Sequence, residues 1–190
     1  SRGLGDVYKR QLYQNYGAPG SYARIGNPDL ETETSNGFEI GAKYDGADYS
    51  LKASVFNNYY RNFIDTVQIA PPGGEYPVGG VTGYENLDHV RIYGVEFGGE
   101  WRFQPNWRAW GSFAWTHGRD TDTGEYLNSV APLRTIIGLG YAADTWGSDV
   151  SLTLASARDK VSGTGFEAPG YGLVDATVWG APETLSLIHI

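Results

Sequence analysis

The chain contains no cysteine and no methionine. Without cysteine, neither a disulfide framework nor a thiolate metal site can form. No stretch approaches the roughly 18 apolar residues that a membrane-spanning helix requires. Charged residues make up only 19% of the chain, whereas about 25% is typical of a soluble domain. The net charge of −8 argues against nucleic acid as a partner, because its phosphates require a basic surface.

Both ends of the sequence look foreign to the rest. No methionine or positively charged, apolar signal segment opens the chain, and we expect the sequence to be part of a longer protein. Residues 1–11 (SRGLGDVYKRQ) and 185–190 (LSLIHI) resemble translated sequencing-adaptor DNA at the edges of assembled reads. We therefore predict a structural unit at residues 12–184, with genuine terminal loops as the alternative.

Aromatic residues are abundant, at 14% of the chain, and many of them lie in segments that alternate apolar and polar side chains. In residues 91–103, for example, Tyr93, Val95 and Phe97 alternate with residues that include Glu96 and Glu100. A period of two is typical of a β-strand with two different faces. Such segments occur at residues 36–44, 49–55, 91–103, 107–116, 135–142, 148–157 and 171–179. The sequence therefore predicts an all-β fold, an antiparallel up-and-down meander of about seven strands.

The connections between these segments alternate between short and long. Short ones follow the first, third and fifth segments, and long polar ones, at about residues 69–86, 119–133 and 159–170, follow the second, fourth and sixth. An antiparallel meander places alternate connections at opposite ends of the sheet. Tight turns at one end and long loops at the other are typical of an outer-membrane β-barrel.

A soluble β-sandwich or β-propeller also alternates, but three features favour the membrane barrel. Predicted strands of about 10–14 residues exceed the usual 5–6. Aromatic residues such as Trp101 and Trp115 lie near strand ends, as in interfacial girdles. Isolated charges on the polar side are costly in a dry core and tolerated in a wet lumen. We predict that the apolar side faces lipid and that the lumen is lined by Glu39, Lys43, Glu96, Glu100 and Arg102.

Seven strands are too few to close a bacterial single-chain barrel, which has an even number of at least eight. The sequence therefore predicts a segment of a larger transmembrane β-barrel, with an unpaired strand edge at each end.

Several longer motifs, in this order and spacing, resemble TonB-dependent outer-membrane receptors, and most closely the haem and haemoglobin receptor branch. They are NPDLETETSNGFEIGAKYDG (27–46), VFNNYYRNFID (55–65), RIYGVEFGGEWRF (91–103), GRDTDTGEYLNSVAPLRTIIGLGY (118–141) and APGYGLVDATVW (168–179). The resemblance covers residues 12–182 and concerns part of the later half of the barrel.

The resemblance implies a 22-stranded barrel around a plug domain, in the outer membrane of a Gram-negative bacterium. Extracellular loops would capture an iron-containing ligand or a haem-carrier protein, and the TonB complex would act through the plug. Haem or a ferric chelate would be transported and not held as a permanent cofactor. The implied partners are outer-membrane lipid, the TonB complex and the iron-containing ligand, with no nucleic acid.

Residues 27–30 (NPDL) resemble the signature that follows a ligand-binding loop in haem receptors. Asn27 and Pro28 favour a turn, in which we expect Asp29 to bond the backbone. Family haem receptors usually carry a histidine in the preceding loop, which here holds tyrosines and an arginine. Tyrosine can ligate ferric haem, and arginine can hold a carboxylate. We therefore predict ligand binding by Tyr13, Tyr16, Tyr22, Arg24, Asn27 and Asp29; without the histidine, a siderophore or cobalamin is the alternative cargo.

Other candidate sites have a simpler interpretation. By parity His89 and His117 belong with the lipid-facing set, where we expect interfacial side chains and not metal or haem ligands. The acidic residues 119–125 lack the spacing of an EF-hand, so we expect a solvated loop. No cysteine and no G-x-S-x-G motif provides a nucleophile, so an enzyme is not expected. A soluble β-rich binding module or adhesin is the alternative from another class.

Overall fold

The computed structural model of the chain describes residues 15–162 and 167–180. Within these ranges the chain forms nine strands and no helix. The described residues therefore contain no helical membrane span. The strands are β1 (Tyr16–Ala18), β2 (Tyr22–Arg24), β3 (Thr34–Asp45), β4 (Tyr49–Ala70), β5 (Gly80–Gln104), β6 (Trp107–Asp120), β7 (Arg134–Ala142), β8 (Trp146–Ala155) and β9 (Tyr171–Gly180). The predicted foreign ends and Tyr13 lie outside the described residues.

The seven long strands, β3 to β9, form one antiparallel sheet in which each strand pairs with its neighbours in the sequence. This confirms the predicted meander. Among the described residues, β3 and β9 each have a neighbour on one side only, so the sheet is open at both edges. The fold is that of a partial barrel.

Two short strands, β1 and β2, were not predicted. They form an antiparallel hairpin, and β2 then pairs in parallel with the first residues of β5, with Tyr22 beside Gly80 and Arg24 beside Thr82. Three residues are too few to display a period of two, so the sequence pattern could not reveal these strands.

The prediction of a long connection at residues 69–86 is wrong. β4 continues to Ala70 and β5 already begins at Gly80, so only residues 71–79 connect them. β4 has 22 residues and β5 has 25, well beyond the predicted strand lengths. The two arms continue to pair, for example Asp65 with Glu85, because pairing satisfies backbone groups that a loop would leave to solvent. Their polar side chains led to the loop prediction.

The register places most of the apolar residues of the seven long strands on one face, which we call the apolar face. One row across it consists of Leu51, Gly99, Gly111, Ile137, Leu152 and Val174. Tyr93, Val95 and Phe97 lie on this face, and Glu96 and Glu100 lie on the opposite, polar face, as their alternation predicts.

The apolar face is uncovered. Ile40, Ile137 and Val178 are exposed by 66%, 57% and 75%, and among the described residues the only buried large aliphatic side chains are Leu30, Val90 and Leu127. No second layer of the described chain packs on this face, so the sheet lacks the core of a sandwich. Apolar surface of this extent requires another apolar medium or partner.

Aromatic rings border the apolar face at both ends. At the short-turn end, ring centres 4.9–6.4 Å apart connect Trp101, Phe103, Trp107, Tyr141 and Trp146. At the other end, Tyr93 lies 5.8 Å from Trp115 and 5.1 Å from His117. On β5, Trp101 lies eight positions after Tyr93. The distance between them is about 26 Å along a strand, or a height of about 20 Å if the strand is tilted as in a barrel. This height suits the apolar band of about 25 Å in outer-membrane barrels.

Candidate functional site

The predicted ligand-binding residues lie on the β1–β2 hairpin and in the turn after it, against the far arm of β5. Arg24 is at the centre. Its Nη1 donates to the hydroxyls of Tyr16 and Tyr84, and its Nε donates to Thr82 Oγ1, each at 3.1 Å. The guanidinium carbon also lies 5.7 Å from the Tyr16 ring centre and 5.4 Å from that of Tyr84. Arg24 is therefore held firmly between two tyrosines, and none of these three bonds uses Nη2.

Tyr22 lies two residues before Arg24 on β2, and therefore on the same side of that strand. Its side chain is 41% exposed, as is that of Tyr16. The structure thus brings Tyr16 and Arg24 into direct contact and places Tyr22 beside them.

The turn at residues 27–30 forms as predicted, but a different side chain holds it. Asn27 Oδ1 accepts from the backbone N–H of Asp29 at 3.0 Å, and Asn27 Nδ2 donates to the carbonyl oxygen of Tyr84 at 3.0 Å. The expectation that Asp29 makes the local backbone bond is therefore wrong, and the Asp29 side chain is exposed. Asn27 fixes the turn to β5, because its amide can accept and donate at once.

Three residues of this site were not found from the sequence: Thr82, Tyr84 and Asn86. They belong to the arm of β5 that was predicted as a loop. Asn86 accepts from the Glu31 backbone N–H at 2.8 Å and donates to the Asn62 carbonyl at 2.7 Å. Thr82, Tyr84 and Asn86 lie at every second position, so their side chains share one side of an extended strand. This spacing could have indicated that β5 continues through them.

Tyr84 is the less accessible of the two tyrosines that hold Arg24. Burial raises the pKa of the Tyr84 hydroxyl, and its hydrogen bond with Tyr16 acts in the same direction, while Arg24 acts against both. The Tyr16 side chain is 41% exposed, whereas Tyr84 is half-buried, so Tyr16 is the more accessible of the two to another molecule.

The predicted lumen-lining residues lie on the polar face. Glu39 pairs with Phe56, Lys43 with Lys52, and Glu96 with Ser54. Glu100 accepts from Arg102 Nε at 3.0 Å and from Arg108 Nη1 at 3.2 Å, and Arg108 Nη2 donates to Asp149 at 2.6 Å. That these residues line a water-filled interior stays a prediction.

Arg108 connects strands that are not adjacent. It stands opposite Gly140 on β7, which in turn stands opposite Asp149 on β8. A Cβ on Gly140 would lie 2.7 Å from Arg108 Nε and 2.7 Å from Asp149 Oδ1. The absence of a side chain at Gly140 therefore lets the ion pair cross β7.

Replacing Arg108 by glutamine is expected to lower the free energy of unfolding by about 1 kcal/mol, because each partly exposed ion pair contributes about 0–1 kcal/mol. The measurement is urea unfolding of the folded receptor at low and high salt, and the difference should shrink in high salt. Arg102→Gln is the control, since Arg102 is 68% exposed and contacts Glu100 alone. Equal losses for both variants would contradict the bridging role.

The two histidines, His89 and His117, lie on the same side of the sheet as Tyr93, as the alternation of side chains predicts. His117 belongs to the ring cluster on the apolar face, and His89 Nδ1 lies 2.9 Å from Asp122 Oδ2. Within residues 15–162 and 167–180, no three His, Asp or Glu side chains are grouped closely enough to hold a metal ion.

Comparisons with known proteins agree with this architecture. Heme/hemopexin utilization protein C of Haemophilus influenzae (strain 86-028NP) is 24% identical over 169 residues, which covers 83% of this chain and 24% of that protein. The chain thus spans about a quarter of the length of that relative.

Solved structures show the same fold. The copper transporter OprC superposes with a TM-score of 0.70 at 19% identity, over 80% of this chain and 23% of that one. A variant of the ferric enterobactin receptor PfeA from Pseudomonas aeruginosa gives 0.63 at 17% identity, over 90% and 27%. The family described as "TonB dependent receptor-like, beta-barrel" matches residues 3–187. The chain belongs to this TonB-dependent receptor β-barrel family.

Proposed function

We propose that the chain is a segment of an outer-membrane receptor that takes up haem or another iron complex. The proposal places the apolar face against lipid of the outer membrane of a Gram-negative bacterium and the polar face toward the barrel interior. The uncovered apolar face between two aromatic borders supports this placement and counts against a soluble binding module or adhesin. Transport, and not catalysis, is then the activity, with energy supplied by the TonB complex through a plug domain.

The observation that carries the choice of ligand is the contact between Tyr16 and Arg24, beyond the aromatic border and on the side of the long connections. A phenol oxygen can ligate ferric iron in haem. Arg24 Nη2, which makes none of the three bonds described above, can meet a propionate or another carboxylate. Tyr22, on the same side of β2 as Arg24, is proposed as a further contact, together with Asn27 and Asp29 of the turn that follows β2. Tyr13 is proposed with them on sequence grounds alone.

The names of two of these proteins refer to iron compounds, haem and hemopexin in one case and ferric enterobactin in the other, and support iron as the cargo, whereas OprC is named as a copper transporter. A ferric siderophore is the second candidate. The tyrosine–arginine pair favours it as strongly as haem, because an anionic chelate would also meet Arg24, and no histidine lies between Asn15 and Pro28. Cobalamin has no net negative charge to match Arg24, so it is less favoured than either iron complex.

The test is the haem spectrum of the complete receptor that carries these residues. Tyr16→Phe should abolish a tyrosinate-type band, because the ligating oxygen is removed while the ring remains. Tyr44→Phe is the matched control: this exposed tyrosine lies at the short-turn end, stacked 5.1 Å from Tyr49, and its loss should leave the spectrum unchanged. A band that survives Tyr16→Phe would exclude Tyr16 as the residue that ligates haem iron. Binding of a ferric siderophore by a receptor that does not bind haem would favour the second candidate.

A further inference from the structure

Two arginines lie side by side on the apolar face, just beyond its aromatic border. Arg91 on β5 pairs with Arg119 on β6, and Tyr59 on β4 stands on the other side of Arg91. The Arg91 guanidinium lies 5.3 Å from the Tyr59 ring centre and 4.9 Å from that of Tyr93, and Arg119 lies 5.0 Å from that of Tyr126. We call Arg91 and Arg119 the arginine row.

The described part of the chain supplies no ion-pair partner to the arginine row. Arg91 Nε instead donates to Asn57 Oδ1 at 2.7 Å, and the nearby Asp122 contacts His89 at 2.9 Å. Both arginines are exposed, so their charges are open to an anion from another molecule.

A cavity of 310 Å³ lies beside this row, at the edge of β6. The edge is free of β7 here, because β6–β7 pairing ends at Ala114 and Arg134. Trp115, His117 and Tyr126 line the cavity from the apolar-face ring cluster, and Arg158, Asp159 and Lys160 line it from the β8–β9 connection. The Nε of Arg158 is buried and makes no hydrogen bond within the described chain. The cavity therefore presents Lys160 and Arg158 beside Asp159, next to aromatic rings, with the Arg158 guanidinium anchored by donation to the Asn128 carbonyl oxygen and near the Asp65 carboxylate.

The position of these charges identifies the kind of anion. The arginine row lies one step, two residues along each strand, beyond Tyr93 and His117, which border the apolar face. In the proposed membrane placement, on which this inference rests, that height corresponds to the lipid headgroups of the outer leaflet. A soluble anion would match the charge alone, whereas an acylated one would match both the charge and the apolar face directly below.

We propose that the arginine row and the adjoining cavity bind the phosphate groups of a phosphorylated, acylated sugar lipid of the outer leaflet. Its acyl chains lie on the apolar face below Tyr93 and Trp115. Arg91 and Arg119 contact one phosphate group, and Lys160 and Arg158 face the sugar and the second phosphate from the cavity. Guanidinium groups suit this role because they bond phosphate in pairs and keep their charge near rings.

The experiment measures binding of bisphosphorylated lipid A to the complete receptor in detergent by native mass spectrometry. Arg91→Gln/Arg119→Gln should weaken binding by about 10- to 30-fold, since each cation near an anionic lipid surface contributes about a fivefold factor or slightly less. Arg91→Lys/Arg119→Lys keeps the charge and should recover most of the affinity. Dephosphorylated lipid A should bind the parent at least as weakly as bisphosphorylated lipid A binds the double glutamine variant, because it also loses the phosphate that faces Lys160 and Arg158.

The matched control is Lys52→Gln/Arg102→Gln, which removes two cations from the polar face of β4 and β5 and should change lipid binding less than about twofold. Unchanged binding in Arg91→Gln/Arg119→Gln, or equal binding of dephosphorylated lipid A, would overturn the proposal. A nitroxide label on Phe97→Cys, which reports whether this position contacts lipid, separates failure of the glycolipid proposal from failure of the membrane placement. If that label contacts lipid while phosphate has no effect, the glycolipid site is wrong and the receptor proposal stands.

Discussion

Replacing Phe97 by arginine should impair barrel assembly more than any other single change proposed for this chain. Phe97 lies midway along β5 between Tyr93 and Trp101, on the apolar face, and is 48% exposed. An arginine at the bilayer midplane on the lipid face costs about 2–4 kcal/mol. The expected result is a lower folded fraction of the complete receptor after refolding into lipid vesicles, measured by heat-modifiable gel mobility and urea titration.

Glu96→Arg is the matched control, one residue away and on the polar face. Its cross-strand neighbours are Ser54 and Ala114, which leave space for a longer side chain. We expect assembly within about 1 kcal/mol of the parent, since substitutions facing the barrel interior change selectivity more than stability. Equal tolerance of the two arginines would argue that neither face of β5 contacts hydrocarbon.

The second large effect is expected at Gly138. The indole of Trp110 lies flat across this residue, and a Cβ built there would be 2.6 Å from Trp110 Nε1 and closer still to two ring carbons. A rigid ring cannot yield as a flexible chain end would. Gly138→Ala should therefore destabilise the folded receptor by about 1–3 kcal/mol, the usual cost of overpacking, and should shift the tryptophan emission. Urea unfolding followed by fluorescence measures both.

Gly41→Ala provides the comparison for Gly138. Gly41 also lies on the polar face, but the nearest atom to a Cβ there is the Ala53 carbonyl oxygen at 3.5 Å, an ordinary contact. The added methyl group should be close to neutral. If both alanines cost the same, the loss would reflect backbone effects common to strand glycines, and Trp110 would not be the cause.

Side-chain alternation was sufficient to predict the apolar face. Every second residue of each long strand lies on it, because the cross-strand register is regular except at the shifts between Gln68 and Ala70 and between Trp101 and Gln104. The short turns at residues 45–48, 104–106 and 143–147 were also located correctly, since each is bounded by strong alternation. Local sequence thus determines most of this sheet.

What lies beyond the aromatic border was harder to predict. There the arms of β4 and β5 mix polar residues with apolar ones such as Ile64, Val67 and Val81 without strict alternation, and residues 69–86 were interpreted as a loop. The hairpin β1–β2 depends on pairing with Gly80–Thr82, more than fifty residues away. Arg24 was found from its chemistry, whereas Tyr84 was missed because its role comes from this long-range pairing.

The same reasoning explains the turn at residues 27–30. Asn and Asp both favour turns, and the sequence alone did not decide between them. Asn27 makes the bond because its amide can also donate to the Tyr84 carbonyl, a partner that a carboxylate could not use. Asp29 is left exposed.

The most direct test uses single cysteines, which the absence of native cysteine permits. Nitroxide labels at each position from Ile92 to Glu100, in the complete receptor in lipid vesicles, report collisions with oxygen, which concentrates in hydrocarbon, and with a water-soluble nickel chelate. We predict that Tyr93, Val95, Phe97 and Gly99 collide with oxygen and exclude nickel, most strongly at Phe97, while the intervening positions do not. Equal oxygen collision at both parities, or low collision at all four odd positions, would contradict the account.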